Sequence, residues 1–212
     1  MKIKHLLLAA LACTSLSAHA GLTTYAPWDA TYPGIAGVQF NVVNGANGST
    51  VAMGAHGYKN GVLLPNDGVS VYTGQAGVYA PDGLGRANWS FDFVIDRGDA
   101  CAATACTVRL LVDKDPTAGV DMVDIGWLLP FSDNANANSW NMEMSFIDTL
   151  VYNFDPNAAS STAFSLQLVS GQTVVAQSDI TVNVAAVPEP GSLALLGLGI
   201  AGLAGLRRRR AA

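Results

Sequence analysis

Apolar and polar residues alternate with a period of two in five runs between residues 89 and 184. The run Trp89–Asp96 places an apolar residue at every second position from Trp89 to Ile95, with polar residues between them at Ser90, Asp92 and Asp96. Such alternation is typical of a β-strand with one face on a hydrophobic core. Four further runs show the same pattern: Val108–Val112, Trp140–Phe146, Phe164–Leu168 and Ile180–Val184.

Residues 34–85 carry weaker alternation and many turn signals. They hold twelve of the 22 glycines, and their Asn-Gly and Asp-Gly pairs favour tight hairpins. Strands are predicted here only near Val38–Val43, Thr50–Gly54 and Val69–Thr73. Because strands with one apolar face must pack against a second layer, residues 21–184 are predicted to form one all-β domain. We expect an antiparallel β-sandwich of Ig-like or jelly-roll-like type.

Residues 1–20 have the composition of a signal peptide. Two lysines precede an apolar core, Leu6–Leu16, and Ala18 and Ala20 form a small-x-small cleavage site. We expect signal peptidase to cut before Gly21, so that the domain is exported across the inner membrane.

The C-terminal end has three parts. Residues 185–190 form a proline-containing linker, residues 191–206 are uncharged and apolar, and residues 207–212 begin with four arginines. As a helix the apolar part spans roughly 24 Å, which is short of the ~30 Å hydrocarbon core but tolerable if the bilayer thins locally. Clustered arginines stay cytoplasmic, so the pattern predicts one transmembrane helix with a basic cytoplasmic tail. An ordinary tail anchor is the alternative.

The three parts together resemble the PEP-CTERM sorting signal of Gram-negative bacteria. The residues that carry the resemblance are Pro188, Glu189 and Pro190, the apolar span, and Arg207, Arg208, Arg209 and Arg210. The resemblance implies that exosortase cuts near Pro-Glu-Pro and that the passenger, after a transient stay in the inner membrane, reaches the cell surface or extracellular matrix. Exopolysaccharide is the implied partner there. Stretches such as Ala87–Phe93 are similar to uncharacterised passenger domains with the same tail, which implies no activity.

The charge of the exported part differs from that of the whole chain. The full chain carries a net charge of −5, whereas residues 21–190 keep five basic residues against all sixteen acidic ones, a net charge of −11. A chain this acidic repels nucleic acid. We therefore expect no nucleic-acid partner.

Cys101 and Cys106 are the two cysteines of the exported domain. Since an exported chain meets an oxidising compartment, a structural disulfide is predicted, which would clamp a hairpin tip. Such a small loop should contribute roughly 2 kcal/mol. Cys13 in the signal peptide would be lipidated in a lipoprotein, but Ala10 stands where a lipobox normally has Leu.

The segment Asp113–Asp124 is a candidate calcium loop. Oxygen ligands at positions 1, 3, 5, 9 and 12 are similar to the calcium-binding pattern, although Ala118 replaces the turn Gly and the last position lacks Glu. The predicted ligands are Asp113, Asp115, Asp121 and Asp124. A plain acidic hairpin, with Pro116 and Gly119 as turn formers, explains the same residues, and apart from this possible calcium no cofactor is predicted.

Catalytic motifs are missing from the sequence. His56 is the sole histidine of the exported part, and Glu143 alternates with Met residues like an outward strand position. No nucleophile elbow, zinc-binding His pair or phosphate loop occurs, so we expect no enzyme. A hydrolase would need His56 beside two or more aspartates in a cleft.

The sequence thus predicts an exported, non-catalytic protein of the cell surface or extracellular matrix. A carbohydrate-binding module of the envelope is the alternative, because exposed aromatic rings on a β-sandwich can stack on sugars. Trp28 and Trp127 lie off the apolar strand faces, whereas Trp89 and Trp140 fall on them. A calcium-binding adhesion domain is a further alternative.

Overall fold

The computed structural model describes residues 21–24, 37–45, 48–98, 101, 106–129, 135–148 and 153–186. The predicted signal peptide, the Pro-Glu-Pro motif, the apolar span and the basic tail lie outside the described residues. Within the described part, the helices are all too short or too polar to cross a membrane.

Ten strands make up most of the described chain. They are β1 (Thr23–Thr24), β2 (Gln39–Asn44), β3 (Thr50–Gly57), β4 (Val71–Gln75), β5 (Trp89–Asp96), β6 (Cys106–Asp113), β7 (Met122–Asp124), β8 (Ala135–Trp140), β9 (Ser160–Ser170) and β10 (Thr173–Ala185). One helical turn, α1 (Ser145–Asp148), and two 3₁₀ turns, Ala80–Asp82 and Gly126–Leu128, connect strands. The three strands predicted in the glycine-rich half are confirmed as β2, β3 and β4.

The strands form two five-stranded sheets that pack face to face. Sheet A has the order β1-β2-β3-β5-β8 and is antiparallel throughout. Sheet B has the order β4-β10-β9-β6-β7, and its β4–β10 pair is parallel, with Val71 opposite Thr181. The described fold is therefore consistent with the predicted β-sandwich, but the expectation of a wholly antiparallel one is wrong. The choice between Ig-like and jelly-roll-like stays a prediction.

The core between the sheets is built from the predicted apolar faces. Trp89, Phe91 and Phe93 of β5 are almost fully buried, and Phe91 stacks on Phe164 of β9 with ring centroids 4.5 Å apart. Phe93 meets Trp140 of β8 edge-to-face at 5.0 Å. Aromatic pairs of this geometry contribute about 0.5–1.5 kcal/mol each beyond the burial of their area.

The outer face of sheet A is also buried, which the alternation does not predict. Ser90 and Asp92 occupy polar positions of the β5 pattern, yet both are buried. A second apolar cluster forms on this face from Val38, Phe40, Ala52, Val94 and Ala137. Sheet A is thus covered on both faces along β3 and β5, so the expectation of one solvated face is wrong for these strands.

The predicted strand Trp140–Phe146 ends at its first residue. Asn141 follows β8, is fully buried, and its amide nitrogen donates to the carbonyls of Ala87 and Trp89 at 2.9 and 2.8 Å. Its Oδ1 accepts from the backbone N–H of Ala87 and Glu143, both at 3.1 Å. Because one side chain satisfies these backbone groups, the chain can leave the sheet and turn into α1. Glu143 therefore lies in a turn, and its predicted outward strand position is wrong.

Cys101 and Cys106 lie at disulfide-bonding distance, with Cα atoms 5.4 Å apart. Both side chains are buried against the main core. Cys101 lies in the connection that follows β5 of sheet A, and Cys106 is the first residue of β6 in sheet B. The pair therefore clamps a crossover between the sheets, and the expected hairpin tip is wrong because β5 and β6 do not pair with each other.

Candidate functional site

The last strand, β10, is paired with β9 along nearly its whole length and with β4 over its last five residues. Val184 is the partner of Ser160 in β9, and Ala185 is the partner of Gln75 in β4. The N–H of Ala76 donates to the Ala185 carbonyl at 3.1 Å. The sheet therefore incorporates all of β10, and we call the end of this strand at Ala185 the chain exit.

A groove of about 510 Å³ opens at the same end of the sandwich. It lies where β3 and β4 end and β5 begins, below the loop Lys59–Pro65. Its lining residues are Gly57, Asn60, Val62, Leu63, Leu64, Pro65, Thr73, Gln75, Asn88 and Trp89. Because Gln75 lines the groove and is also the register partner of Ala185, the groove and the chain exit are neighbours.

Backbone hydrogen bonds hold the groove loop at both ends. The N–H of Gly57 donates to the Val62 carbonyl at 2.8 Å, and the N–H of Thr73 donates to the Pro65 carbonyl at 2.7 Å. Lys59 has a positive φ of 52° within the turn, a conformation that is uncommon for a residue other than glycine. The loop is thus tied to β3 and β4, and the groove is preformed.

The four predicted calcium ligands lie in the β6–β7 hairpin but do not converge. Asp113 is buried, and its Oδ1 accepts from the backbone N–H of Asp115 and Asp121 at 3.0 and 2.8 Å. Asp121 pairs with Lys114 at 3.0 Å. Asp124 pairs with Arg109 at 2.9 Å across the strands.

Asp115 in the same hairpin accepts from the Thr117 N–H at 2.9 Å. Hydrogen bonds from the Thr117 hydroxyl and from this N–H hold the pKa of the Asp115 carboxyl below its usual value. Each carboxylate therefore has a local partner that organises the turn. Among the described residues no three His, Cys, Asp or Glu side chains are grouped as a metal site. Calcium binding by this hairpin stays a prediction, which isothermal titration would test.

A family model for the PEP-CTERM protein-sorting motif matches residues 186–210. The match begins at the residue that follows the end of β10. The chain carries a PEP-CTERM sorting motif. This motif marks an exported protein that exosortase sorts to the surface or exterior of a Gram-negative bacterium. No curated protein matches the chain.

The PEP-CTERM match includes the residues that carried the resemblance in the sequence. Pro188–Pro190 and Arg207–Arg210 fall within the matched range but outside the described residues. The match does not extend to the exported passenger in front of the motif, so only the passenger's own side chains indicate its role.

The sole histidine of the passenger forms a buried pair with one aspartate. His56 Nδ1 and Asp92 Oδ2 are 2.8 Å apart on adjacent strands of sheet A, and the Asp92 side chain is fully buried. Its other oxygen, Oδ1, is buried without a hydrogen-bond partner among the described residues. Burial lowers the pKa of His56, but the charge and hydrogen bond of Asp92 outweigh it, so the net shift is upward.

The tryptophans divide as their positions in the pattern predict. Trp89 and Trp140 are buried in the core, whereas Trp127, on the 3₁₀ turn after β7, is 71% exposed. Trp28 lies outside the described residues. Trp127 sits at the β7 edge of sheet B, four strands from the groove beside β4, or roughly 19 Å at the usual strand spacing.

Sequence reasoning missed the groove. Its aliphatic wall, Val62–Pro65, is a short apolar run without alternation, enclosed by an Asn-Gly turn and a proline. That run was the available signal for an apolar surface outside the strands. An apolar segment without alternation in a polar loop does not fit the one-sided pattern of a strand. Gln75 and Asn88 carried no signal, since only the fold brings them to the same wall.

Proposed function

We propose that this chain is a non-catalytic protein of the cell surface or extracellular matrix, delivered by exosortase and associated there with exopolysaccharide. The observation that carries the proposal is that the sorting motif begins directly after the last residue of the fold. The last strand ends at Ala185, and the matched sorting motif begins at residue 186.

Because the motif follows the last strand directly, the sandwich keeps all its strand pairs when the tail is cut. A cut near Pro188-Glu189-Pro190 falls after the last strand residue, so that every register pair of β10 remains. The aromatic core and the crossover Cys pair also lie entirely in front of the cut. A passenger that keeps its full structure on release suits a protein that works outside the cell.

The chemistry of the passenger supports a binding or structural role. The His56–Asp92 pair is buried within sheet A, where a substrate would have to displace packed side chains. The hairpin aspartates are engaged with backbone N–H groups or with cationic side chains. We assign these groups to the stability of the fold, and this assignment supports the proposed non-catalytic role.

The proposal is tested by expressing the full chain in a Gram-negative host with and without exosortase. With exosortase, mass spectrometry should find a released product that begins at Gly21 and ends near Pro188–Pro190. Without it, the chain should stay in the inner membrane with its arginines. An intact arginine tail on the membrane-bound protein of the exosortase-positive host would overturn the proposal.

A proline exchange provides the matched control for this test. The double variant Pro188→Ala, Pro190→Ala should abolish release, because the rigid motif before the cut is lost. Pro116→Ala changes an exposed proline of the β6–β7 hairpin and should be released like the unmodified chain. Equal release of both variants would show that the motif does not direct processing.

A further inference from the structure

We propose that the groove beside the chain exit binds a segment of a neutral polysaccharide. The identity of that polysaccharide as the surrounding matrix rests on the proposed function, whereas the binding itself rests on the groove. Its volume of about 510 Å³ lies in the range of small-ligand sites in proteins, roughly 300–1,000 Å³.

The lining of the groove suits an uncharged ligand. The lining residues include three with a carboxamide, one with a hydroxyl and the aliphatic segment Val62–Pro65, and none of them carries a charged side chain. A charged ligand would leave water without gaining a counter-charge there, which is costly. The net charge of −11 on residues 21–190 further repels polyanions. Uronate-rich chains are thereby disfavoured against neutral ones.

Hydrogen-bonding capacity in the groove is available to a ligand. The side chains of Thr73, Gln75 and Asn88 make no hydrogen bond to another described residue, while Asn60 Oδ1 is occupied by the Val62 N–H at 3.0 Å. Carboxamides and hydroxyls both donate and accept, as sugar hydroxyls do. Together these three side chains offer matched partners for the hydroxyl rim of a sugar ring.

The aliphatic wall supplies the complementary apolar surface. Val62 and Leu63 are each 53% exposed although their loop is fixed to β3 and β4. A sugar ring has an apolar face of C–H groups, and covering it would remove both surfaces from water. Since the loop is already held in place, little ordering free energy opposes binding.

The test measures oligosaccharide binding to the full-length chain, purified in a detergent without a sugar headgroup. Cellohexaose, maltohexaose and laminarihexaose are the neutral probes, and hexagalacturonate is the anionic probe, all followed by isothermal titration. We expect at least one neutral hexasaccharide to bind and hexagalacturonate not to bind. Binding of none of the neutral probes, or tighter binding of the anionic probe, would overturn the proposal.

Variants locate the binding at the groove. Gln75→Ala and Leu63→Ser should each weaken the neutral complex about five- to tenfold, through one lost hydrogen bond or lost apolar contact. Gln172→Ala is the matched control, because Gln172 is an exposed amide in the β9–β10 turn, about 40 Å along β10 from the exit. Equal loss in the control variant, or no loss in the groove variants, would place the site elsewhere.

The binding test and the test of exosortase sorting can succeed or fail independently of each other. Titration uses the uncut chain, so it proceeds whether or not the tail is ever removed. A chain that is released but binds no neutral probe refutes the groove alone, and a chain that binds but is not released refutes the sorting proposal alone.

Discussion

His56 is the residue through which pH most directly affects the stability of this fold. Its pKa lies above the ordinary 6.5 because Asp92, whose charge and hydrogen bond outweigh the opposing effect of burial, favours the protonated ring. A folded state with a raised pKa holds the proton more tightly than the unfolded state. The resulting stabilisation is complete below about pH 6.5 and is lost as pH rises through the folded pKa.

We therefore expect the melting temperature of the released product to fall between pH 6 and 9. The variant His56→Gln should show a flatter profile in this window, since the other two histidines lie in the signal peptide, at His5 and His19. Calorimetry across the pH series measures both profiles. Parallel profiles for the two proteins would show that the pair does not control the pH dependence.

Asn141 is an uncharged residue that is equally important for the stability of the fold. Its side chain makes four hydrogen bonds to backbone groups in a fully buried position. Asn141→Ala would leave those groups unsatisfied, and buried unpaired groups cost about 1–3 kcal/mol each before relaxation. We expect a total loss of about 3 kcal/mol in urea unfolding.

The control for that measurement is Asn157→Ala. Asn157 is exposed in the turn before β9, and exposed substitutions usually change stability by no more than about 0.5 kcal/mol. A loss below about 1 kcal/mol at Asn141 would mean that water replaces its amide and that the strand end does not depend on it.

At the scale of elements, the contact between β2 and β3 depends on a glycine. A Cβ on Gly54 would lie 2.9 Å from the Gln39 carbonyl oxygen and 3.1 Å from Phe40 Cδ1. The nearest atom belongs to the backbone of the neighbouring strand, so relief requires the strand to move. Gly54→Ala should therefore cost about 2 kcal/mol, within the usual range for overpacking.

Gly74 in β4 offers a matched comparison for Gly54. Its added Cβ would meet Val184 Cγ2 at 3.4 Å and Trp89 Cδ1 at 3.5 Å, which are ordinary contacts. Gly74→Ala should be neutral or slightly stabilising, because glycine in a strand is unfavourable. Urea unfolding of the two variants tests the contrast, and equal costs would show that the spacing of β2 and β3 is not the cause.

The strands that the sequence predicts best are those with an apolar face on the core between the two sheets. Period-2 alternation locates β5, β6, β9 and β10 because one side of each faces the shared core. It fails at Trp140–Phe146, where the apolar residues continue while Asn141 ends the sheet with its side chain. It also fails at Ser90 and Asp92, because long-range packing buries positions whose residue types indicate solvent.

The candidate site was predictable only in part, for a similar reason. A sorting motif is a contiguous stretch, so its residues can be identified in the sequence alone. The groove combines segments from three strands and a loop, and the sequence separation of Leu63, Gln75 and Asn88 hides their proximity. The isolated bridges Asn66–Tyr72 and Val78–Ala87 bring these segments together, and local alternation does not encode such bridges.

For the whole molecule, the strongest expectation concerns where the chain can end. A chain that stops after Ala186 retains every pair of β10 and should unfold at the same urea concentration as the released product. A chain that stops after Ile180 loses the entire β4 pairing, Thr181–Ala185, and should fail to fold. Circular dichroism and size-exclusion chromatography distinguish the two.

A chain ending at residue 180 that remained folded would show that the β4–β10 pairing is dispensable to sheet B. Stopping after Asn183 provides an intermediate case, with three of the five β4 partners kept. Its stability should lie between the other two.

The short connection between β10 and the predicted membrane span limits the distance between the sandwich and the bilayer in the uncut protein. Residues 186–190 can extend over at most about 18 Å, so a sandwich still tethered to the lipid has its β10 end against the headgroups. The groove shares that end, and a long polymer approaching it would collide with the bilayer. If the groove binds a polysaccharide as proposed, severing the tether would remove this steric shield, and proteolysis would set the time at which long chains gain access to the groove.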